Sequence, residues 1–270
     1  MRSDRTRAMA NERKNRPHTT VVLAMSADGK IADIERSPAR FSSATDKAHL
    51  EEQIATSDAV LFGAGTLRAY GTTLRVSHPQ LLQQRKQNSL PPQPLQIIAS
   101  LQANIDPQLR FFRQPVPRWL LTTSAGAKQW QGRSEFEKIL ICETISLEDK
   151  GDLGDLGEKE NSAFSIAFGK GKALQHSAFS IDWVNALEQL ARLGVKRLAV
   201  LGGGELVASM LAFDAIDELW LTVCPLILGG ANAPTPVEGT GFYAALAPRL
   251  ELLSAQIKEQ EVFLHYRLQR

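Results

Sequence analysis

The stretch Lys196–Gly230, KRLAVLGGGELVASMLAFDAIDELWLTVCPLILGG, constrains the fold more than any other part of the chain. Leu198–Leu201 is a short, wholly apolar run of the kind that a buried parallel strand shows. It stops at Gly202-Gly203-Gly204. Leu206, Met210 and Phe213, with Val207 and Leu211 beside them, then recur at helical spacing. Glu218–Val223 reads as a second strand. A strand, glycine turn, helix and strand in that order make a right-handed crossover, with ligands beyond the first strand's carboxyl end. Three glycines let backbone approach a ligand, and the helix start offers free N–H groups to an anion such as phosphate. A tight turn needing positive φ accounts for the glycines equally well.

The rest of the chain supplies strands to complete such a sheet. Thr19–Met25 is an apolar strand running into Ser26-Ala27-Asp28-Gly29-Lys30, whose Asp-Gly step marks a turn. Asp28 and Lys30 then stand at a strand's carboxyl end, where Asp28 either serves a ligand or shapes the turn itself. Ser43 or Thr45 caps a helix reaching about Thr56, and Ala59–Phe62 is the next strand. It ends in a second glycine turn, Gly63-Ala64-Gly65-Thr66, which falls short of a dinucleotide fingerprint because Arg68 holds the third glycine position. His78–Pro94 is rich in Gln and Pro and reads as a surface loop. Strands follow at Leu95–Ala99, Trp119–Thr122 and Ile139–Cys142. Asp182 caps a helix with Val184, Leu187 and Leu190 on its apolar face, ended by Gly194. Ala231–Gly241 is a Pro/Gly loop placed over the ligand edge. Leu250–Ile257 and Val262–Leu268 form a closing antiparallel hairpin. The sum is about nine strands, an α/β sheet mostly parallel with an antiparallel end, and helices on both faces.

Two segments stand outside that plan. Residues 1–17 are charged and polar and read as a disordered tail, leaving 18–270 as one domain. Residues 148–180, with GDLGDLG and two copies of SAFSI, read as a flexible insertion.

Composition removes several functions. A net charge of +2 is no nucleic-acid footprint, and no apolar run is long enough to span a membrane. Two cysteines, Cys142 and Cys224, give no disulfide framework, so a reducing cytoplasm is the simplest home. His49-Leu50-Glu51 has the His-x-Glu of a zinc deaminase, but no Cys-x-x-Cys completes a metal site. There is no His-Glu-x-x-His, no Gly-x-Ser-x-Gly and no Gly-Lys-Ser/Thr. The five histidines fall mostly in polar stretches and read as solvated. What remains is three loops at one sheet edge, Ser26–Lys30, Gly63–Thr66 and Gly202–Leu206. Such an edge suits a phosphorylated cofactor that brings its own chemistry.

In LAMSADGKIA (Leu23–Ala32), SDAVLFGAGTLRA (Ser57–Ala69) and VLGGGELVASML…DELWLTVCPLILGG (Val200–Gly230), the chain resembles the riboflavin-biosynthesis reductase family of the RibD C-terminal type. The resemblance implies a dihydrofolate-reductase-like fold and a homodimer. It also implies NADPH-dependent reduction of a phosphorylated pyrimidine, 5-amino-6-(5-phosphoribosylamino)uracil, to its ribitylamino product. The family's cofactor contacts fall on Ala24, Thr66, Gly202, Gly203, Gly204, Glu205 and Leu206, with Asp28 and Lys30 at the catalytic edge. The substrate side departs. Ile54 stands for the family's arginine, Tyr70-Gly71-Thr72 for its Asp-Asp-Pro, and Leu201 for an acid. Arg75, two residues early, is the cation left for the substrate phosphate. Related readings are a reductase of a pterin or dihydrofolate, and a nucleotide-binding protein without catalysis.

Overall fold

Nine strands form one sheet, and the order in which they pair decides where a ligand can sit. The computed structural model describes residues 15–39, 41–144 and 180–270. The strands are β1 (His18–Ser26), β2 (Ala59–Gly63), β3 (Leu95–Ala99), β4 (Arg118–Thr122), β5 (Lys138–Ile141), β6 (Arg197–Val200), β7 (Glu218–Cys224), β8 (Arg249–Lys258) and β9 (Glu261–Gln269). Their order across the sheet is β5-β4-β3-β2-β6-β1-β7-β9-β8. The first seven in that order run parallel, and β9 pairs antiparallel with both β7 and β8. This is the expected mostly parallel sheet with an antiparallel ending. β6, late in sequence, slots between β2 and β1. The carboxyl ends of β2, β6 and β1 therefore lie side by side.

Helices cover both faces. α1 (Ala44–Ala55), α2 (Ala64–Tyr70) and α3 (Pro79–Gln87) pack on Val60, Phe62, Ile98, Leu120 and Ala199. α5 (Trp183–Arg192) and α6 (Gly204–Ala212) pack on Val21, Leu23, Leu61, Ile97 and Val200. A short α4 (Ser124–Lys128) follows β4. β2, β3 and β6 alternate between these two cores, so residues one apart on them serve different helix layers. Caps set the helix ends: the Ser43 hydroxyl accepts the Asp46 N–H at 3.1 Å, and Asp182 accepts that of Asn185 at 2.9 Å. Gly194 at φ +93° closes α5.

Three expectations need correction. His78–Pro94 is not a loop throughout, because Pro79 opens α3 at a position that needs no N–H donor. α3 turns Arg85 inward to 1% exposure, where it donates to the carbonyls of Ala55, Ser57 and Pro91. Polar composition hid a helix whose inner face is a hydrogen-bonded cation. On α5 the face is rotated by one residue: Val184 is exposed, and Trp183 is buried with its indole N–H on the Ser209 hydroxyl at 3.0 Å. The histidines are not all solvated either. His49 is buried in α1 between Trp220 and Phe263, and His265 stacks on Trp220 with centroids 4.0 Å apart.

The expected tail and insertion lie outside the described residues apart from their last positions. Of these, Arg16 is held by Asp217 at 2.7 and 2.8 Å. Among the described residues no helix is long and apolar enough to cross a membrane.

Candidate active site

Three turns leave the adjoining ends of β1, β2 and β6. The N–H of Gly63 donates to the Gly202 carbonyl at 3.1 Å, joining the two glycine turns directly. Gly202 adopts φ +97°, and a side chain there would stand 2.9 Å from the Leu23 side chain on β1. A Cβ at Gly203 would sit 3.7 Å from the Thr66 hydroxyl, an ordinary contact. Ala24, Thr66 and Gly202–Leu206 are thus gathered at one edge.

The helix start is a bank of donors. α6 opens at Gly204 with Gly203 as its N-cap, and no side chain caps it. The Val207 N–H returns to the Gly203 carbonyl, whereas those of Gly204, Glu205 and Leu206 have no partner among the described residues. The Thr66 hydroxyl beside them is unpartnered in the same sense. Behind α6 the backbone is closed off. The Thr235 carbonyl would lie 2.3 Å from a Cβ on Gly204, and the Glu238 N–H donates to the Gly204 carbonyl. The third glycine is required by the 231–241 loop, and the first by its positive φ against Leu23. Glu238 also pairs with Arg36 at 3.3 Å.

Asp28 has a defined task in the turn after β1. Its Oδ1 accepts the Ser26 hydroxyl at 2.6 Å and the Leu228 N–H at 3.1 Å, and its Oδ2 accepts the Gly229 N–H at 2.7 Å. The Ser26 hydroxyl, then these two amides, hold its pKa down at about 2. It clamps the β1 turn to the Leu228–Gly230 turn as a carboxylate. Among the described residues Lys30, on the same turn, reaches only the Ala233 carbonyl at 3.4 Å and keeps most of its donor capacity.

Arg75 is not brought to this edge. It is exposed, and the next residue, Val76, exchanges two hydrogen bonds with the Gln93 side chain just ahead of β3. Thr73 similarly reaches Gln96 and Gln114. These are amino ends of strands, roughly 15 Å from the glycine turns at about 3.3 Å per residue of strand. Two residues early in sequence has become the wrong end of the sheet. Ile54 is likewise no edge residue: it has 0% exposure in the α1–α3 core. The Tyr70 hydroxyl donates to the Ala39 carbonyl, Gly71 ends α2 at φ +65°, and the Thr72 hydroxyl reaches Gln114. Leu201, half-buried on the same core, donates its N–H to the Leu61 carbonyl.

Under the start of α1 the structure adds residues that no motif marks. Asp46, Thr222 and Glu261 are buried beside the half-buried Ser43 over the carboxyl ends of β1 and β7. Their one sequence signal is a polar or acidic residue inside an otherwise apolar helix face or strand.

Comparison with known proteins accounts for this arrangement. A model of the RibD C-terminal domain matches residues 17–264. The 2,5-diamino-6-ribosylamino-4(3H)-pyrimidinone 5′-phosphate reductase of Archaeoglobus fulgidus is 27% identical over 84% of this chain and 89% of its own length. The reductase of the same name from Methanothermobacter thermautotrophicus is 24% identical over 93% and 98%. A pyrimidine reductase-like protein of Corynebacterium diphtheriae shares the fold, with a TM-score of 0.65 at 17% identity over 94% and 92% of the two chains. The chain belongs to the RibD C-terminal domain family.

Proposed function

We propose that this protein is an NADPH-dependent reductase of riboflavin biosynthesis that turns the phosphoribosylamino group of a phosphorylated pyrimidine into a ribitylamino group. The observation that carries the reading is the meeting of the Ser26–Lys30, Gly63–Thr66 and Gly202–Leu206 turns at one edge. Family membership over nearly the whole chain supports it. The substrate ring is 5-amino-6-(5-phosphoribosylamino)uracil or its 2-amino precursor. The precursor is favoured by the names of the relatives that match over most of their length.

The residues present fit a dinucleotide. Free N–H groups at Gly204, Glu205 and Leu206 suit its diphosphate, and the Thr66 hydroxyl adds a fourth donor. Ala24 presents a small side chain against which a flat ring can lie on β1, and Gly203 leaves that approach open. When bound, the dihydronicotinamide supplies a hydride. The chain's own part is binding and orientation. Asp28 fixes the turn that carries Lys30, and Lys30 offers its ammonium to the substrate phosphate.

The homodimer belongs to the same proposal. β8 carries Leu250, Leu252 and Ile257 exposed, the last at 81%, on the face it shares with Tyr266 and Val262. An apolar sheet face of that kind suits a second copy of the chain. Leu252→Glu should shift sedimentation from dimer to monomer.

The deciding experiment is NADPH oxidation measured side by side with the 2-amino pyrimidine, the aminouracil and dihydrofolate. Turnover of either phosphoribosylamino compound supports the reading. Turnover of dihydrofolate alone would replace it.

A further inference from the structure

The proposed reduction consumes a proton as well as a hydride, and Lys30 is already given to the substrate phosphate. Asp28 is held as a carboxylate by its three donors. The floor under α1 holds a better group. β1 and β7 pair with Ala24 opposite Thr222 and Ser26 opposite Cys224. β7 and β9 pair with Thr222 opposite Phe263. Residues opposite one another share a face about 5 Å apart. Ala24, Thr222 and Phe263 therefore make one row, with Ala24 at the wall assigned to the nicotinamide. Asp46 lies over this row from the first turn of α1. It is 7% exposed, and the hydroxyls of Thr222 and Ser42 lie beside its carboxyl group. That places it about one strand spacing from Ala24.

A second acid stands beside it in a different setting. The Glu261 carboxylate accepts the Ser43 N–H at 2.8 Å, the Ser43 hydroxyl at 2.5 Å and the Cys224 thiol at 3.4 Å. Asp46 has hydroxyls beside it, and a hydroxyl can accept from an acid as well as donate to a carboxylate. Burial raises the Asp46 pKa, the Thr222 and Ser42 hydroxyls offset part of that, and the Glu261 charge raises it further. One turn along α1, burial also lowers the His49 pKa, and its Nε2 has no hydrogen-bond partner among the described residues. The groups facing Asp46 are Glu261 on β9, Cys224 on β7 and His49 on α1, with Lys258 and His265 beyond His49.

We propose that Asp46 is the general acid of the reduction, giving its proton to the ring oxygen of the substrate's ribosylamine. The assignment rests on the reductase reading above. As the C1′–O4′ bond breaks, its electron pair takes the Asp46 proton and becomes a hydroxyl. The exocyclic nitrogen lone pair closes a C1′=N⁺ double bond at the same time. C1′ then accepts the hydride, and the double-bond pair returns to nitrogen. One proton and one hydride have entered, giving the open ribitylamine, and water reprotonates Asp46.

Asp46→Asn keeps the shape and the hydroxyl contacts but carries no acid. In an enzyme whose wild type reduces the phosphoribosylaminopyrimidine, it should lower kcat by about 10²–10⁴-fold. KM and NADPH affinity, the latter read by fluorescence titration, should stay within about threefold. Wild-type kcat should fall as pH rises through the Asp46 pKa, because the protonated form is the active one. Thr222→Val removes a neighbouring hydroxyl that favours the carboxylate and should move that fall to higher pH. Glu261→Gln removes a negative neighbour and should move it to lower pH. These two variants retain Asp46 and carry the test if Asp46→Asn does not fold. A kcat within about fivefold of wild type in Asp46→Asn overturns the donor role. So does a pH profile that neither neighbour variant moves. A wild type that binds NADPH yet leaves the pyrimidine unreduced overturns the reductase reading, and the donor role falls with it.

Discussion

The two ends of the parallel sheet use the same strands and are finished in opposite ways. At the amino end polar groups are tied together. Asp217 accepts from Arg16, Arg270 and the Thr19 N–H, and Arg85 holds the last carbonyls after α1. At the carboxyl end the first amides of α6 and the Thr66 hydroxyl are left without partners among the described residues. A satisfied end contributes stability, and an unsatisfied end keeps its hydrogen bonds for a ligand. Substitutions at the amino end should therefore change stability without changing affinity, and those at the carboxyl end the reverse.

The largest effect expected is at Arg85. Arg85→Ala leaves three carbonyls, two of them buried, without their donor. At about 1.5–3 kcal/mol for a hydrogen bond to a charged group, a loss on the order of 3–5 kcal/mol is expected in urea unfolding. NADPH affinity of the remaining folded protein should be unaltered. A parallel loss of affinity would show the two ends to be coupled.

Asp217→Asn comes next, at about 1.5–3 kcal/mol near neutral pH. Burial alone would raise the Asp217 pKa, but the Arg16 guanidinium, the Thr19 amide and Arg270 bring it below the usual value. Its stabilisation is therefore fully present above the unfolded-state pKa of about 3.9, and is lost as pH falls through the lower folded value. Melting temperatures of wild type and Asp217→Asn should converge below that range. A gap that persists in acid would assign the effect to packing.

Gly203→Val tests the other end. Its Cβ has room inside the protein, so stability should hold while added bulk blocks the approach to α6. About a tenfold loss of NADPH affinity, or 1.4 kcal/mol, is expected in titration calorimetry. Unchanged affinity would move the cofactor elsewhere. The smallest effect is at Arg75, exposed at the amino end. Arg75→Ala should change stability by no more than about 0.5 kcal/mol and leave KM for the pyrimidine alone. A raised KM would return Arg75 to the substrate.

Legibility in the sequence followed the same division. All nine strands and the Gly202–Gly204 turn could be read because apolar runs and glycines are local signals. The carboxyl edge was legible for that reason: backbone builds it, and glycines announce where backbone must be bare. α3 was hidden because its buried face is made by Arg85, a residue that polarity scales count as surface. Asp46, Thr222 and Glu261 could not be found as a set, since α1, β7 and β9 meet only through the sheet order. Arg75 was misplaced because spacing along the chain does not say which way a segment runs after α2 ends at Gly71.

The position of β1 has a consequence for how the molecule is made. β1 leaves the ribosome first among the strands, yet its neighbours on both sides, β6 and β7, come from the last third of the chain. β2, β3 and β4 each pair with the strand that follows, so β2 to β5 can assemble during synthesis. Through that interval the apolar Val21-Val22-Leu23 segment waits with both edges open, and the closure of a very long loop makes its final insertion slow. The nascent chain is most exposed to self-association at the strand that will later lie at the centre of the sheet.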